Sequence, residues 1–183
     1  RNQVKLGMRQ QAHRAEVLLD LKKACEHVRH GDLIRAAQAV QYPMHLLRMS
    51  LIAYTWPRRL VYLNSLSRAI QPTRGIAAGS STATFELWAV LKPAIDKIAA
   101  ISPRLTVCLH VDDLCVHAAD RDIETCEALL IAAADTTAEE IRRLGMVFAP
   151  DKGFVLATTP SSAARLAKQL ALPATATDHT TRL

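Results

Sequence analysis

Aromatic residues are scarce in this sequence of 183 residues: three Phe, three Tyr and two Trp. Glycine and proline are also few, at six and eight, which excludes a collagen-like or low-complexity chain. Half of the residues are apolar, too many for a disordered one. No apolar run reaches the ~18 residues of a membrane span. No basic-then-apolar leader opens the chain, so an intracellular protein, nuclear or cytoplasmic, is expected, with no membrane partner and no secretion. The four cysteines, Cys25, Cys108, Cys115 and Cys126, show no Cys-x-x-Cys spacing. A zinc site is therefore not expected, and reduced thiols are. There is no internal repeat. The first residue is Arg, and the chain reads as a piece excised from something longer.

What is present is a length sufficient for one domain with a core. Lys and Arg number 23 against 17 Asp and Glu, a net charge of +6. That excess suits a polyanionic partner, and ordinary surface solvation explains it equally well. The basic residues favour the first half, with Arg58-Arg59, Arg68 and Arg74 among them.

Taken in order, residues 1–14 are basic and without period. Ala15 to Asp20 reads as a short strand ending in an acid, followed by a turn or helical turn to Val28. Asp32 is expected to cap a helical stretch from Leu33 to Ser50 that Pro43 divides in two. Arg59 to Asn64 reads as a strand pairing with a second before Pro72. Residues 74–81 form a loop of small residues. A helix follows from Ser81 or Thr82 to about Ala100, with Phe85, Leu87, Trp88 and Leu91 on its core side and a kink expected at Pro93. Asp120 is expected to cap the next helix, whose stripe runs through Ile123, Cys126, Leu130, Ala133-Ala134, Ile141 and Leu144. Arg142-Arg143 and Gly145 stop it. Met146-Val147-Phe148 and Phe154 to Ala157 read as strands about a turn at 149–153. A last helix is expected from Ser161 or Ser162 through Leu172, then a loose tail from Pro173.

One stretch carries chemistry. In Leu105-Thr106-Val107-Cys108-Leu109-His110-Val111-Asp112-Asp113-Leu114-Cys115-Val116-His117, adjacent carboxylates divide two apolar arms, the pattern of a tight hairpin. On spacing alone an Asp-Asp bend is an ordinary surface turn. If the bend is at Val111-Asp112, Cys108 and Cys115 come opposite each other and could pair, although a reduced buried pair is the expectation. Asp20 also ends a strand, 92 positions before Asp112. If its strand lies beside the hairpin, three acids converge at one end of an antiparallel sheet. Carboxylates that bridge two cations ~3.5–4 Å apart are a device for in-line phosphoryl transfer, and hard oxygen donors select Mg²⁺ or Mn²⁺. Gly75 and Gly79 would let backbone approach a nucleotide, and Lys152 could face its phosphates.

These motifs together resemble the palm of reverse transcriptases, most closely the non-LTR retrotransposon type. Leu18-Leu19-Asp20-Leu21-Lys22-Lys23-Ala24-Cys25-Glu26-His27-Val28 is similar to the first palm motif, and Arg74-Gly75-Ile76-Ala77-Ala78-Gly79-Ser80 to the second. His110-Val111-Asp112-Asp113 is similar to the Tyr-x-Asp-Asp motif. Leu144-Gly145-Met146-Val147-Phe148-Ala149-Pro150-Asp151-Lys152 resembles the fourth, a Leu-Gly-Leu run followed by a lysine. The resemblance covers about residues 16–158.

It implies an α+β polymerase palm over residues 15–158, an antiparallel sheet with helices packed on one face. A remnant or linker at 1–14 precedes it, and a C-terminal helix with a loose tail at 159–183 follows. It implies that Asp20, Asp112 and Asp113, with the carbonyl of Leu21, hold two Mg²⁺ (or Mn²⁺) ions. Lys152 would lie near the pyrophosphate as a proton donor, while Leu21, Cys25, Gly75, Gly79 and His110 border the substrates. The implied reaction joins a DNA primer's 3′-hydroxyl to a deoxynucleoside triphosphate on an RNA template.

Four departures qualify it. Cys25 replaces a bulky aromatic that excludes the ribose 2′-hydroxyl, Glu26 replaces Asp, Ala78 replaces Gln and His110 replaces Tyr. Full fingers do not fit in the 19 residues before Asp20, and no thumb is evident after Thr158. The alternatives are a decayed palm that only binds nucleic acid or acts as a scaffold, and an RNA-templated RNA polymerase.

Overall fold

A computed structural model describes residues 12–177. Their elements are, in order, β1 (His13–Asp20), α1 (Ala24–His27), α2 (His30–Ala39), α3 (Met44–Thr55), β2 (Val61–Tyr62), β3 (Ser65–Leu66), α4 (Ala83–Ala99), β4 (Leu105–His110), β5 (Asp113–Asp120), α5 (Ile123–Arg143), β6 (Gly153–Ala157), α6 (Pro160–Gln169) and β7 (Ala174–Ala176). The backbone divides into two compact units. One comprises the described residues of Arg1–Lys22 and Pro93–Leu183, and the other is Lys23–Lys92. The division falls inside α4, at Pro93. No helix among the described residues is long and apolar enough to cross a membrane.

The first unit is built on a five-stranded sheet in the order β4-β5-β1-β6-β7. Every neighbouring pair is antiparallel except β6 and β7, which run parallel. The period of two explains which face each strand buries. In β1, Ala15, Val17 and Leu19 are buried, and across the sheet Leu114, Val116 and Ala118 of β5 and Val155 and Ala157 of β6 join them. The α5 stripe of Cys126, Leu130, Ala133, Ala134 and Ala138, together with Ala163 and Leu166 of α6, packs into the same cluster. The fold is thus α+β, with α5 and α6 on one face of a mostly antiparallel sheet. Burying a side chain as fully as Leu130 or Val17 contributes about 1.5–3 kcal/mol. The other face carries Glu16, Leu18 and Asp20 of β1 beside His117, Cys115 and Asp113 of β5.

Several boundaries differ from expectation, each for a local reason. The N-cap of α5 is Asp122, not Asp120: the Asp122 carboxylate accepts from the Thr125 backbone N–H at 2.8 Å and from the Thr125 hydroxyl at 2.7 Å. Those bonds hold its carboxyl below the usual range. Asp120 ends β5 and accepts from the Asp122 N–H at 2.9 Å. Asp32 lies inside the first turn of α2, where it pairs with Arg35 rather than capping. Residues 146–148 form no strand; only Phe148 bridges, to Leu21. The tail from Pro173 is not loose, because Ala174–Ala176 adds to β6 as β7. His13 and Arg14 belong to β1 rather than to a linker, while residues 1–11 lie outside the described residues. The end of α5 is as expected, at Arg143 with Gly145 at φ 71°.

In the second unit, α2 and α3 are separated at Pro43, and a small exposed hairpin joins β2 to β3. Leu87 and Leu91 of α4 are buried as expected, but Phe85 is half exposed, its ring tilted against those of Tyr42 and Trp88. The helix continues through Pro93.

Candidate functional site

The hairpin that joins β4 to β5 turns on two residues, Val111 and Asp112, closed by the pair His110 and Asp113. Val111 has φ 59°, a conformation that β-branched residues avoid. Beyond the hairpin, β1 pairs with β5 along its whole length, so Asp20 stands directly opposite Asp113. In the antiparallel register both project from the same face. The Leu21 N–H donates to the Asp112 carbonyl at 3.3 Å, tying the end of β1 to the bend. Leu21 itself is buried, and Asp112 is half-buried. Asp113 and His110 are exposed, so the bend lies at the surface rather than inside.

Lys152 reaches the same place from the turn before β6. The chain after α5 runs beside the end of β1, with the Lys22 N–H donating to Val147 O at 2.9 Å and Ala149 N–H to Asp20 O at 2.8 Å. Lys152 Nζ then donates to Asp20 Oδ2 at 2.5 Å. The ion pair with Asp20 raises the Lys152 pKa above its ordinary value, and the charges of Asp112 and Asp113 add to the rise. One carboxylate, Asp20, pairs with the ammonium group, and the other two add their charge from nearby.

Beside the acids this second face of the sheet holds a cleft of about 340 Å³, lined among others by Leu18, Cys108, His110, Asp113, Cys115 and Lys152. Its volume falls in the range of small-molecule pockets. Cys108 and Cys115 are cross-strand partners and both are free thiols, Cys108 exposed and Cys115 half-buried. The expected burial of both is thus met only in part. Cys115 Sγ donates to Glu16 Oε1 at 3.0 Å. Burial, then that bond, pushes the Cys115 thiol far above its usual range. Burial pushes the pKa of His117, the cross-strand partner of Glu16, down.

The remaining expected residues, Cys25, Gly75 and Gly79, belong to the second unit. There the first two meet. Ile76 N–H donates to Cys25 O at 2.9 Å, and Gly75 N–H to Val28 O at 2.7 Å. Gly75 has φ 95°, and a Cβ there would lie 3.6 Å from Glu26 O. Its own carbonyl is 2.9 Å from His30 Nε2. Gly79, at φ 85°, faces open space. Beneath this loop lies a buried polar group that sequence reasoning missed. The Tyr54 hydroxyl donates to Glu86 Oε2 at 2.7 Å and is 3.2 Å from Ser80 Oγ, and Glu86 is 1% exposed. Its signal in the sequence is a carboxylate within the apolar run of α4. Glu16 was missed too, although it occupies an alternate position of a strand whose other face is apolar.

The donors gathered at the acid end are all hard oxygens, the set that suits Mg²⁺ or Mn²⁺. Among the described residues no three His, Cys, Asp or Glu side chains are grouped closely enough to hold a metal ion, and Lys152 supplies the positive charge on Asp20. The donor chemistry fits a divalent cation; binding one requires Lys152 to yield Asp20.

No family model matches the chain, and no curated protein matches its sequence.

Proposed function

We propose that this chain is the palm of a template-directed polymerase of nucleic acids, a class defined by acids at the end of adjacent antiparallel strands. More particularly, it is read as a palm of the reverse-transcriptase type, similar to that of non-LTR retrotransposons. The observation that carries this reading is the pairing of Asp20 with Asp113, beside a bend whose Asp112 carbonyl accepts from Leu21. The motifs are distant in sequence, and an arbitrary α+β fold has no reason to join them.

On this reading Asp20, Asp112 and Asp113, with the Leu21 carbonyl, are the residues that would hold two Mg²⁺ or Mn²⁺ ions. Bound divalent ions supply a lowered pKa for the attacking hydroxyl and charge stabilisation for the leaving pyrophosphate. The chain's own groups do the rest. Lys152, kept protonated by its acidic neighbours, offers positive charge and a proton to the triphosphate. His110 borders the cleft on the primer side. In the second unit, Cys25, Gly75 and Gly79 are the residues that the resemblance assigns to the substrates. The partners are an RNA template, a DNA primer and deoxynucleoside triphosphates.

A second reading, a palm that has lost catalysis and serves as a nucleic-acid-binding or scaffold domain, is favoured by the Lys152–Asp20 ion pair and the absence of a ready three-ligand group among the described residues. One experiment separates the two. Primer extension on an RNA template is measured with and without Mg²⁺, for the wild type and for Asp112→Ala, with Mn²⁺ binding followed by electron paramagnetic resonance. Mg²⁺-dependent extension that Asp112→Ala abolishes supports the enzyme. Nucleic-acid binding with no extension, and no Mn²⁺ bound at millimolar concentrations, leaves the scaffold.

A further inference from the structure

The sheet places two thiols face to face where neither the polymerase reading nor the hydrophobic core uses them. Cys108 of β4 and Cys115 of β5 are direct cross-strand partners. Directly opposed residues of an antiparallel pair have Cα atoms about 4.5–5.5 Å apart in either pair type, inside the ~4.4–6.8 Å that a disulfide spans. Their side chains project from the same face, into the cleft that both line. Cys108 is exposed and so open to attack from solvent, whereas Cys115 is half-buried and hydrogen-bonded to Glu16.

We propose that Cys108 and Cys115 form a reversible redox modification site, closed by small disulfides of the glutathione class. The asymmetry of the pair sets the order of events. Cys108, as thiolate, attacks one sulfur of the oxidant; the oxidant's S–S bond breaks, one small thiolate leaves, and Cys108 carries a mixed disulfide. Cys115 then loses its proton to solvent, and its sulfur attacks Cys108 Sγ. The bond from Cys108 to the small thiol breaks, and the second small thiolate departs. Two protein thiols have lost two electrons in all, and one small disulfide has become two thiols, which take up the two protons. The product staples β4 to β5 across the floor of the cleft, two residues from both His110 and Asp113. This inference rests on the strand register and not on the polymerase reading, so either can fail alone.

The test uses the whole chain. Oxidised glutathione is added to the folded protein, remaining thiols are blocked by alkylation, and the protein is digested with trypsin. Arg104 and Arg121 bracket both cysteines with no Lys or Arg between, so they fall on one peptide, 105–121. The expected result is that peptide without alkyl groups or glutathione, lighter by two hydrogens than its reduced form. Reduction restores two alkylatable thiols. Closure should be at least about tenfold faster in the folded protein than in denaturant, because the sheet holds the two sulfurs together. The proposal is overturned if glutathione stays on Cys108 while Cys115 remains alkylatable in the wild type. Oxidation that links either to Cys25 or Cys126, no reaction at all, or equal rates in the folded and unfolded chain overturns it as well.

Discussion

At Val111 a β-branched side chain occupies a backbone at φ 59°, in the tightest part of the hairpin that carries the two acids. L-residues in this region cost roughly 1–2 kcal/mol, and glycine escapes that cost at the expense of chain entropy. Val111→Gly is therefore expected to stabilise the fold by about 0.5–1 kcal/mol in denaturant unfolding. A destabilised variant would show that the valine is not strained. Lys152 gives the second expectation at this scale. Its pKa is raised in the folded state, first by the bond to Asp20 and then by the charges around it. The ion pair therefore adds stability that is fully present below the unfolded lysine value of about 10.4 and is lost as pH rises through the higher folded value. A ¹⁵N-detected titration of the Lys152 ammonium should show a midpoint above that of ordinary lysines, and Asp20→Asn should lower it. An unchanged midpoint in the variant would mean the two groups do not meet in solution.

Among the elements, β7 is the one that depends most on a single missing side chain. A Cβ on Gly153 would lie 2.0 Å from the Pro173 carbonyl oxygen. That atom is backbone, so Gly153→Ala must push β7 away from β6, at a cost of about 1–3 kcal/mol. Hydrogen exchange should show Ala174–Ala176 deprotected while β1 and β5 keep their protection. The tie between α5 and α6 is of another kind. Glu127, almost fully buried, accepts from Arg165 Nε at 2.8 Å and also from Ser162. The Arg165 bond outweighs burial and holds the Glu127 carboxyl below its usual range. Its stabilisation is present above the ordinary glutamate value near about 4.3 and is lost as pH falls through the lower folded value. Glu127→Gln should flatten the acid limb of a stability profile; an unaltered limb would assign that limb to other carboxylates. The same elements show what a sequence can reveal. The strands β1, β4, β5 and β6 and the helices α4 and α5 could be read from alternation, stripe and stop signals, because each buries one face. The pairing of β1 with β5 was inferred from acids at strand ends, a chemical cue and not a propensity. By contrast β7 is only Ala-Thr-Ala, too short for an alternation to be read, and it forms because the edge of β6 is there to pair with. Residues 146–148 look like a strand yet bridge only at Phe148, and a local pattern cannot count partners. The cap of α5 slipped by two residues because Asp120 and Asp122 are chemically alike and only the geometry of Thr125 chooses between them.

For the whole molecule the question is how charge and site divide the work. The net charge of +6 coexists with a carboxylate cluster at one end of the sheet. Attraction for a polyanion must then come from elsewhere, and the exposed Arg58 and Arg59 beside the β2–β3 hairpin of the second unit are candidates. Each phosphate neutralised on a single strand contributes about −0.7 to the slope of log affinity against log salt. Affinity for a single-stranded oligonucleotide should therefore fall steeply with salt, and the double variant Arg58→Ala/Arg59→Ala should make the slope shallower by about 1–1.5 units. Asp112→Ala removes negative charge, so it should leave that affinity equal or slightly higher while removing Mg²⁺-dependent extension. Filter binding over a range of salt concentrations, run beside the extension assay, reads both. Binding and catalysis that decline together in Asp112→Ala would mean the acids hold the nucleic acid itself, or that the sheet has come apart, which circular dichroism distinguishes. Binding that survives while extension disappears separates an electrostatic surface on one unit from a chemical site on the other, the division of labour expected of a palm that recognises phosphate by charge and reserves its carboxylates for the reaction.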